Sequence, residues 1–275
     1  MELAAGGVGM TISQGLAAAL RAPQGLVIAV SGGMDSLCLT AAAARVRDGD
    51  LRMVHASSAA VPAQATDRVR RMAADLGLPL DVVDAREFAD ERYRANPVDR
   101  CYYCKTNLYR TLVAANPGHV VASGTNLDDL GDYRPGLRAA GEHGVIHPFA
   151  DARMTKDDVR RLADGLGLPQ IAALPASPCL ASRIQTGLRV EPGELRMIDT
   201  VETRLREVLG PVTLRCRRQP QGIAIEIDET RLAALSDPDR QDIARLARIA
   251  VDEHGYAGLA IRLAPYRQGS AFIHA

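Results

Sequence analysis

The chain has 275 residues, 47% of them hydrophobic, which is enough for one large domain or two modest ones with separate cores. Lys plus Arg and Asp plus Glu each number 33, so the net charge is zero and no global field draws the protein to nucleic acid or anionic membranes. Aromatic residues make up 4%, and Trp is absent, so platforms for base stacking are few. We expect a cytoplasmic protein with no membrane segment, no nucleic-acid partner and only local anion sites.

Strand and helix patterns alternate through the first half of the chain. Predicted strands cover 25–30, 51–56, 80–83 and 119–122, and predicted helices cover 34–47, 61–76 and the stretch from Thr155 to Gly165 or Gly167. This alternation is typical of a parallel sheet covered by helices. The segment 124–149, rich in Gly, Asp and Arg, reads as a long functional loop.

The pattern changes after about residue 185. Helices are predicted at 194–209 and 239–254, and strands at 211–216, 222–228 and 257–263. The sequence therefore predicts an α/β fold in two parts, a parallel-sheet domain over 1–185 and a smaller α+β domain over 186–275.

A glycine motif directly follows the first predicted strand and reads Ser31-Gly32-Gly33-Met34-Asp35-Ser36. The two glycines let the backbone approach an anion, and the N–H groups of the loop and first helical turn point at it. The hydroxyls of Ser31 and Ser36 can donate to phosphate oxygens, whereas Asp35 would repel them unless it holds Mg²⁺ or faces away. The segment lacks the G-x-x-x-x-G-K-[ST] pattern of a Walker A loop. An ordinary strand–turn–helix is the alternative.

Five cysteines, at positions 38, 101, 104, 179 and 216, form an odd and scattered set that argues against a disulfide framework. Cys101 and Cys104 form a C-x-x-C pair, which can grip a metal or act as a redox couple. With Cys179, in a Pro-containing turn, they would suit an iron–sulfur cluster or a zinc ion with one exchangeable ligand. Structural thiols or a structural zinc are the alternative. For Cys38 and Cys216 we expect packing roles.

A third motif begins where the fourth predicted strand ends. Gly124 and Thr125 stand at the edge of an open parallel sheet where ligands bind, and the acids after them could hold a second cation. A solvated polar loop is the alternative.

The glycine motif resembles the SGGxDS loop of the N-type ATP pyrophosphatases, or PP-loop superfamily, which cleave ATP between the α and β phosphates to adenylate a substrate. The chain also carries NPVDRCYYCK (96–105), SGTNLDDLGDYRPGLRAA (123–140), MTKDDVRRLADGLGLP (154–169) and PCLASR (178–183). Together these segments resemble the LarE family of ATP-dependent sulfur transferases, which serve the nickel-pincer nucleotide cofactor of lactate racemase.

The resemblance implies a first domain with the PP-loop (adenine nucleotide alpha hydrolase-like) fold. It implies a small nucleotide substrate, pyridinium-3,5-biscarboxylic acid mononucleotide, one carboxylate of which is adenylated and then exchanges oxygen for sulfur. Adenylation makes chemical sense because a carboxylate is a poor electrophile until AMP becomes its leaving group.

The same resemblance implies a role for the cysteines. In the family, a cysteine that matches Cys179 either gives up its own sulfur and becomes dehydroalanine or joins two further cysteines around a [4Fe–4S] cluster. Because Cys101 and Cys104 are also present, the cluster-containing type is implied, with Cys179 as a ligand and sulfide or another sulfur donor as partner. Sacrifice of Cys179 is the alternative.

Four residues further along the chain resemble the family's substrate-binding groups. Arg215 and Arg217 alternate along a predicted strand, share one face and would bind the substrate phosphate. Glu226 on the neighbouring strand matches a family active-site acid, and Arg183 would contact AMP or the substrate phosphate. Charges on a solvated strand face are the alternative.

Other functions fit parts of the sequence. The loop alone would also suit a tRNA-thiolating enzyme, although the neutral charge argues against tRNA. An amide-forming synthetase would need an ammonia source. A nucleotide-sensing iron–sulfur module is the non-catalytic alternative. The family resemblance further implies a homo-oligomer.

Overall fold

The computed structural model describes residues 12–131 and 135–272. They form two compact units. The first holds the described residues up to Ser58, then Ala63–Arg86 and Cys101–Ser177, and the second holds Ala59–Pro62, Glu87–Arg100 and the residues from Pro178 onward. The domain boundary at residue 185 stays a prediction, and two short early segments group with the later part of the chain.

The helices and strands follow one another in an order close to the predicted one. In chain order they are α1 (Gln14–Arg21), β1 (Gly25–Ala29), α2 (Met34–Val46), β2 (Asp50–Ala56), α3 (Ala63–Leu76), β3 (Leu80–Val83), α4 (Glu91–Arg94), α5 (Arg100–Ala115), β4 (His119–Ala122), α6 (Pro135–Glu142), α7 (Pro148–Asp151), α8 (Lys156–Gly165), α9 (Pro169–Ala172), α10 (Pro192–Leu209), β5 (Leu214–Gln219), β6 (Gly222–Ile227), α11 (Glu229–Ala233), α12 (Asp237–Glu253) and β7 (Ile261–Pro265).

The first unit is built on a four-stranded sheet in the order β3-β2-β1-β4, with every neighbouring pair parallel. In this order the chain winds to one side of β1 through β2 and β3, and then crosses to the other side to place β4. The carboxyl ends of β1 and β4 therefore flank a topological switch point, the position where open parallel sheets bind ligands. The predicted α/β fold class is confirmed.

The core of the first unit explains why the first strand reads as a continuous apolar run. Strand β1 pairs on both edges, and Leu26, Val27 and Ile28 are fully buried. Helix α2 packs beside it with Leu37 and Leu39 buried. The glycine motif joins these two elements and is thus held between a buried strand and a packed helix.

The segment 124–149 differs from the predicted long loop. It contains a 3₁₀ turn over Asp128–Leu130 and the helices α6 and α7, while residues 132–134 lie outside the described part. Ala139 and Ala140 of α6 are fully buried. Two alanines bury little area each, which explains why the periodic signal of this packed helix is weak in the sequence.

The second unit contains a three-stranded sheet in the order β5-β6-β7, antiparallel between β5 and β6 and parallel between β6 and β7. Helix α10 presents Leu195, Ile198, Val201 and Leu205 to the core as a buried stripe. The predicted elements all occur, although β5 begins at Leu214 and not at Pro211, and β7 begins at Ile261 and not at Ala257. Among the described helices, none combines the length and the apolar character that a bilayer crossing requires.

Candidate functional site

The glycine motif forms a tight turn at the carboxyl end of β1, closed by hydrogen bonds of its own serines. The Ser31 N–H donates to Ser36 Oγ (3.1 Å), and Ser36 Oγ donates to the Gly33 carbonyl (3.1 Å). Ser36 is buried, whereas Ser31 is exposed. Gly33 is the N-cap residue of α2. Because glycine has no side chain, it cannot accept a capping hydrogen bond from the first-turn N–H groups. The loop is therefore preorganised, and its helix begins at a residue that gives no side-chain cap.

Gly32 adopts a left-handed backbone conformation, with φ of 79°. A Cβ atom there would lie 2.4 Å from the carbonyl oxygen of Ala65 on α3. From the same helix, Arg68 Nε donates to the Gly32 carbonyl over 2.8 Å. The loop can thus accept only glycine at this position, and α3 fixes its backbone.

The loop after β4 meets the glycine motif directly. A Cβ atom at Gly124 would lie 2.8 Å from the Asp35 backbone carbon and 2.8 Å from the Ser36 nitrogen. The next residue, Thr125, has its hydroxyl 3.0 Å from Ser123 Oγ, which also lies 2.8 Å from His147 Nδ1. The structure therefore brings the first and third predicted motifs together at the switch point.

His147 completes a polar chain behind Thr125. Burial lowers the pKa of His147 below the usual value for histidine, so its imidazole is neutral at physiological pH. A neutral ring can exchange a hydrogen bond with Ser123 without placing a charge beside the loop. Sequence reasoning gave no role to this histidine.

Asp35 carries two partners at the mouth of the loop. Its Oδ1 accepts a hydrogen bond from Asn126 Nδ2 over 3.2 Å, and its Oδ2 forms an ion pair with Lys156 Nζ. The Asp35 side chain is 24% exposed and the Lys156 side chain 31% exposed. A carboxylate and an ammonium therefore stand at the edge of the loop, both accessible to solvent.

The sequence analysis gave Lys156 no role, although its position at the start of a predicted helix is unusual for a cation. It is the first residue of α8, where the helix dipole disfavours a cation, and Thr155 caps the helix through a capping box with Asp158. Its backbone N–H donates to Asp128 Oδ2 over 2.9 Å. A lysine held at an unfavourable helix end indicates a task outside the helix.

Cys101 and Cys104 lie three residues apart on α5, which places both half-buried thiols on one helix face. That arrangement fits two ligands of one metal or cluster. Cys179 is exposed and belongs to the second unit. Within the described residues, no three Cys, His, Asp or Glu side chains are grouped as a metal site would require.

Cys38 and Cys216 pack in the two cores, as predicted. Both are fully buried, and Cys38 Sγ donates to the Val159 carbonyl over 3.5 Å. Burial raises the pKa of Cys38 to about 12 and raises the pKa of Cys216 well above its usual value, so both thiols stay protonated and unreactive.

Arg183 lies in a buried ion pair within the second unit. Its guanidinium, 2% exposed, donates through Nε and Nη2 to the two carboxylate oxygens of Glu202, at 2.9 and 3.0 Å. Burial would raise the pKa of Glu202, but the hydrogen bonds and charge of Arg183 lower it, so the pair is ionised. Sequence reasoning assigned no role to Glu202.

Arg217 and Glu226 form a second buried pair across β5 and β6, with Nε and Oε2 3.0 Å apart. They are 5% and 4% exposed, so the alternative of charges on a solvated strand face is wrong for both. Arg215 lies on the same face of β5, half-buried, with its guanidinium 5.8 Å from the ring centre of Tyr266. The arginines and the acid are thus neighbours on one sheet.

A parallel sheet that carries a glycine loop at its switch point, followed by a helix whose N-cap residue gives no side-chain cap, is the arrangement with which α/β enzymes bind phosphate groups. No family model matches the chain. It is 33% identical, over 79% of its length and 79% of the relative's, to pyridinium-3,5-bisthiocarboxylic acid mononucleotide synthase of Lactiplantibacillus plantarum. The chain belongs to the LarE family, and the predicted enzyme class is confirmed.

Two further relatives are consistent with this placement. An uncharacterised protein of Synechocystis sp. is 35% identical over 73% of this chain and 75% of its own length. One subunit of a glutamine-hydrolysing GMP synthase of Methanoculleus marisnigri is 30% identical over 52% of this chain and 51% of its own length. The second similarity connects the chain to a different activity of the PP-loop class.

Proposed function

We propose that this enzyme is an ATP-dependent, AMP-forming sulfurtransferase that converts pyridinium-3,5-biscarboxylic acid mononucleotide into its thiocarboxylate form. The observation that carries the proposal is the glycine loop at the switch point, in a chain whose relative is a pyridinium-3,5-bisthiocarboxylic acid mononucleotide synthase. A bisthiocarboxylate differs from a biscarboxylate by exchange of oxygen for sulfur, and this exchange needs an activated carboxyl group.

The first half of the reaction belongs to the glycine loop. The N–H groups of the loop and of the first turn of α2 would bind the ATP phosphates, with the exposed Ser31 hydroxyl as a further donor. Asp35 would hold Mg²⁺, which supplies charge neutralisation on the phosphates when bound. Gly124 and Thr125 would line the other side of the nucleotide. Lys156, beside Asp35, would place its ammonium on a phosphate oxygen.

The bonds formed and broken in this step balance. An oxygen of the substrate carboxylate attacks the α-phosphorus of ATP, the bond from that phosphorus to the bridging oxygen breaks, and pyrophosphate leaves. The product is an acyl-adenylate, whose AMP is the leaving group in the second half-reaction. The residues of the loop act here by orienting the phosphates and stabilising negative charge.

The second half-reaction brings sulfur to the acyl carbon, and AMP departs with the carboxyl oxygen. A [4Fe–4S] cluster held by Cys101, Cys104 and Cys179 would supply that sulfur as sulfide from an external donor. Arg215 and Arg217, with Glu226 beside them, would hold the substrate phosphate during the transfer. We expect the enzyme to work in the cytoplasm as a homo-oligomer.

The exposure of Cys179 also favours a second route, in which this residue is the sulfur source. Its thiolate would attack the acyl-adenylate and release AMP. Loss of the α-proton and cleavage of the Cβ–S bond would then leave the thiocarboxylate on the substrate and dehydroalanine in the chain. This route gives one turnover per protein molecule, whereas the cluster route gives many.

Two measurements test the proposal. Labelled ATP should yield pyrophosphate only when the carboxylate substrate is present, and pyrophosphate release without substrate dependence would contradict carboxylate activation. Protein purified without oxygen should be brown, with about four irons per chain that are lost on Cys101→Ala. A colourless protein in which Cys179 has lost the mass of H₂S after one turnover would reject the cluster route and support the sacrificial route.

A further inference from the structure

The turn that carries Cys179 is held by its backbone, while its thiol is exposed. The Cys179 carbonyl accepts three hydrogen bonds: from the Ser182 N–H (3.0 Å), from Ser182 Oγ (2.7 Å) and from Arg183 Nη1 (3.2 Å). The Leu180 N–H donates to the Ala60 carbonyl over 2.8 Å. The direction in which the Cys179 side chain leaves the backbone is therefore fixed by its neighbours.

Arg183 supplies the long-range part of this support. Besides the Cys179 carbonyl, Nη1 donates to the Pro178 carbonyl over 2.7 Å and lies 3.1 Å from Ser182 Oγ. Its remaining contacts go to the Glu202 carboxylate through Nε and Nη2. Each guanidinium nitrogen donates a hydrogen bond to another group of the protein, and the side chain is only 2% exposed.

Glu202 extends the same network to the strand with the predicted phosphate-binding arginines. Its Oε1 also accepts the backbone N–H of Cys216 over 2.9 Å, which ties α10 to the middle of β5. One residue further along β5, Arg217 donates through Nη1 to the Ser182 carbonyl over 2.9 Å. The cysteine turn and β5 are thus joined at two points.

We propose that Arg183, anchored on Glu202, is a positioning residue that sets where the Cys179 sulfur stands relative to Arg217. The inference rests on the proposed function, in which Cys179 handles sulfur and Arg217 holds the substrate phosphate. It replaces the role predicted from the sequence, a contact between Arg183 and AMP or the substrate phosphate. Sulfur transfer depends on this distance, whereas adenylation does not.

Lysine is the informative substitution for Arg183, because it retains the charge but cannot form the two-pronged contact with a carboxylate. Arg206→Lys is the matched control. Arg206 Nη2 donates to the same carboxylate, at 2.6 Å from Glu202 Oε2, and the described contacts of its side chain include none with the cysteine turn. Both variants weaken the support of Glu202, but only Arg183→Lys releases residues 178 and 179.

We expect Arg183→Lys to slow single-turnover sulfur transfer roughly tenfold to a hundredfold, since small misplacements of a reacting group have effects of this size. The KM for ATP and substrate-dependent pyrophosphate release should change by less than about twofold. Hydrogen exchange should rise in the peptide that contains 178–183. Arg206→Lys should leave sulfur transfer and that peptide's exchange near those of the unchanged protein.

Three results would overturn the inference. A raised KM for ATP or for the nucleotide substrate would assign Arg183 to ligand binding. Equal losses in pyrophosphate release and sulfur transfer, or equal effects of Arg206→Lys, would assign it to general stability. If Arg183→Lys does not fold, Ser182→Ala removes one donor from the Cys179 carbonyl and must slow sulfur transfer selectively. Failure of Cys179→Ser to stop sulfur transfer would instead reject the proposed function.

Discussion

At Asp35, one carboxylate meets the amide of Asn126 and the ammonium of Lys156. The glycine motif sets Asp35 in the first turn of α2, and two later segments bring its partners from 91 and 121 residues away. A bound magnesium ion would compete with Lys156 for the carboxylate. The released ammonium would then lie beside the phosphates, so one lysine can serve the loop before and after nucleotide binds.

Replacing Lys156 tests this idea. We expect Lys156→Gln to raise the KM for ATP about tenfold, because a charge-assisted hydrogen bond to phosphate is lost at a partly exposed site. The Mg²⁺ concentration for half-maximal activity should fall, since Asp35 loses its competing cation. Arg160→Gln, an exposed change on the same helix, is the control. An unchanged KM for ATP in Lys156→Gln would remove Lys156 from the nucleotide site.

Gly124 offers a second test at the scale of one atom. Because a Cβ there would press on the backbone of Asp35 and Ser36, Gly124→Ala should destabilise the protein by about 1–3 kcal/mol and impair ATP cleavage. Gly141→Ala is the control, since a Cβ atom at Gly141 in α6 meets nothing within 4 Å and should be neutral or slightly stabilising. Denaturant unfolding measures both. Equal stabilities would mean that the two loops can separate without cost.

At the scale of elements, His55 of β2 connects the strand before the glycine motif to α3. It is 1% exposed, with Nδ1 2.7 Å from the Val30 carbonyl and Nε2 2.9 Å from Thr66 Oγ1. The first contact requires a proton on Nδ1, and the second is then accepted by Nε2 from the Thr66 hydroxyl. Burial lowers the pKa of His55, so the folded protein holds this ring neutral.

This lowered pKa makes stability depend on pH. Below the unfolded pKa of about 6.5, the unfolded chain binds a proton at position 55 that the folded protein does not bind, so stability falls as the pH decreases through that range. Urea midpoints at pH 7.5 and 5.5 should therefore differ, and His55→Gln should reduce the difference. If His55→Gln keeps the full difference between the two urea midpoints, other groups, such as His147, account for the pH dependence of stability.

The sequence predicted the elements whose signals are local and missed those that depend on distant partners. The glycine motif and the four parallel strands carry their own apolar runs and turn residues. Strand β5 continues to Gln219, three residues beyond its predicted end, and this part was missed because its arginines read as polar. Arg217 and Arg218 are paired with Glu226 and Glu194, and these partners make their burial in a strand favourable. Lys156 was missed for the same reason, as its partner lies on another element.

At the scale of the whole chain, the second unit draws on residues 87–100, which lie in sequence between two segments of the first unit. Asn96, 1% exposed, donates through Nδ2 to the carbonyls of Gln185 and Leu188, both over 2.8 Å. Arg94 binds both carboxylate oxygens of Glu191, at 2.7 and 2.8 Å. A fragment that begins at residue 186 would therefore lose the hydrogen bonds and the ion pair that residues 87–100 provide.

A fragment of residues 186–275 tests where the second domain begins. We expect it to unfold with little cooperativity, because the buried Asn96 and its bonds to Leu188 are missing from it. The full-length protein is the reference, and both are followed by thermal unfolding. Cooperative unfolding of the fragment near the temperature of the full-length protein would support the boundary at residue 185 as it stands.

The central claim is that ATP cleavage at the glycine loop activates a carboxylate of the substrate, so that one of its oxygens can be exchanged for sulfur. The most direct test is mass spectrometry of pyridinium-3,5-biscarboxylic acid mononucleotide after incubation with the protein, ATP, Mg²⁺ and sulfide. We predict a thiocarboxylate product formed together with AMP and pyrophosphate, and no such product from Cys179→Ser, which should still release pyrophosphate. Recovery of unchanged substrate, with no pyrophosphate formed in its presence, would contradict carboxylate activation by this protein.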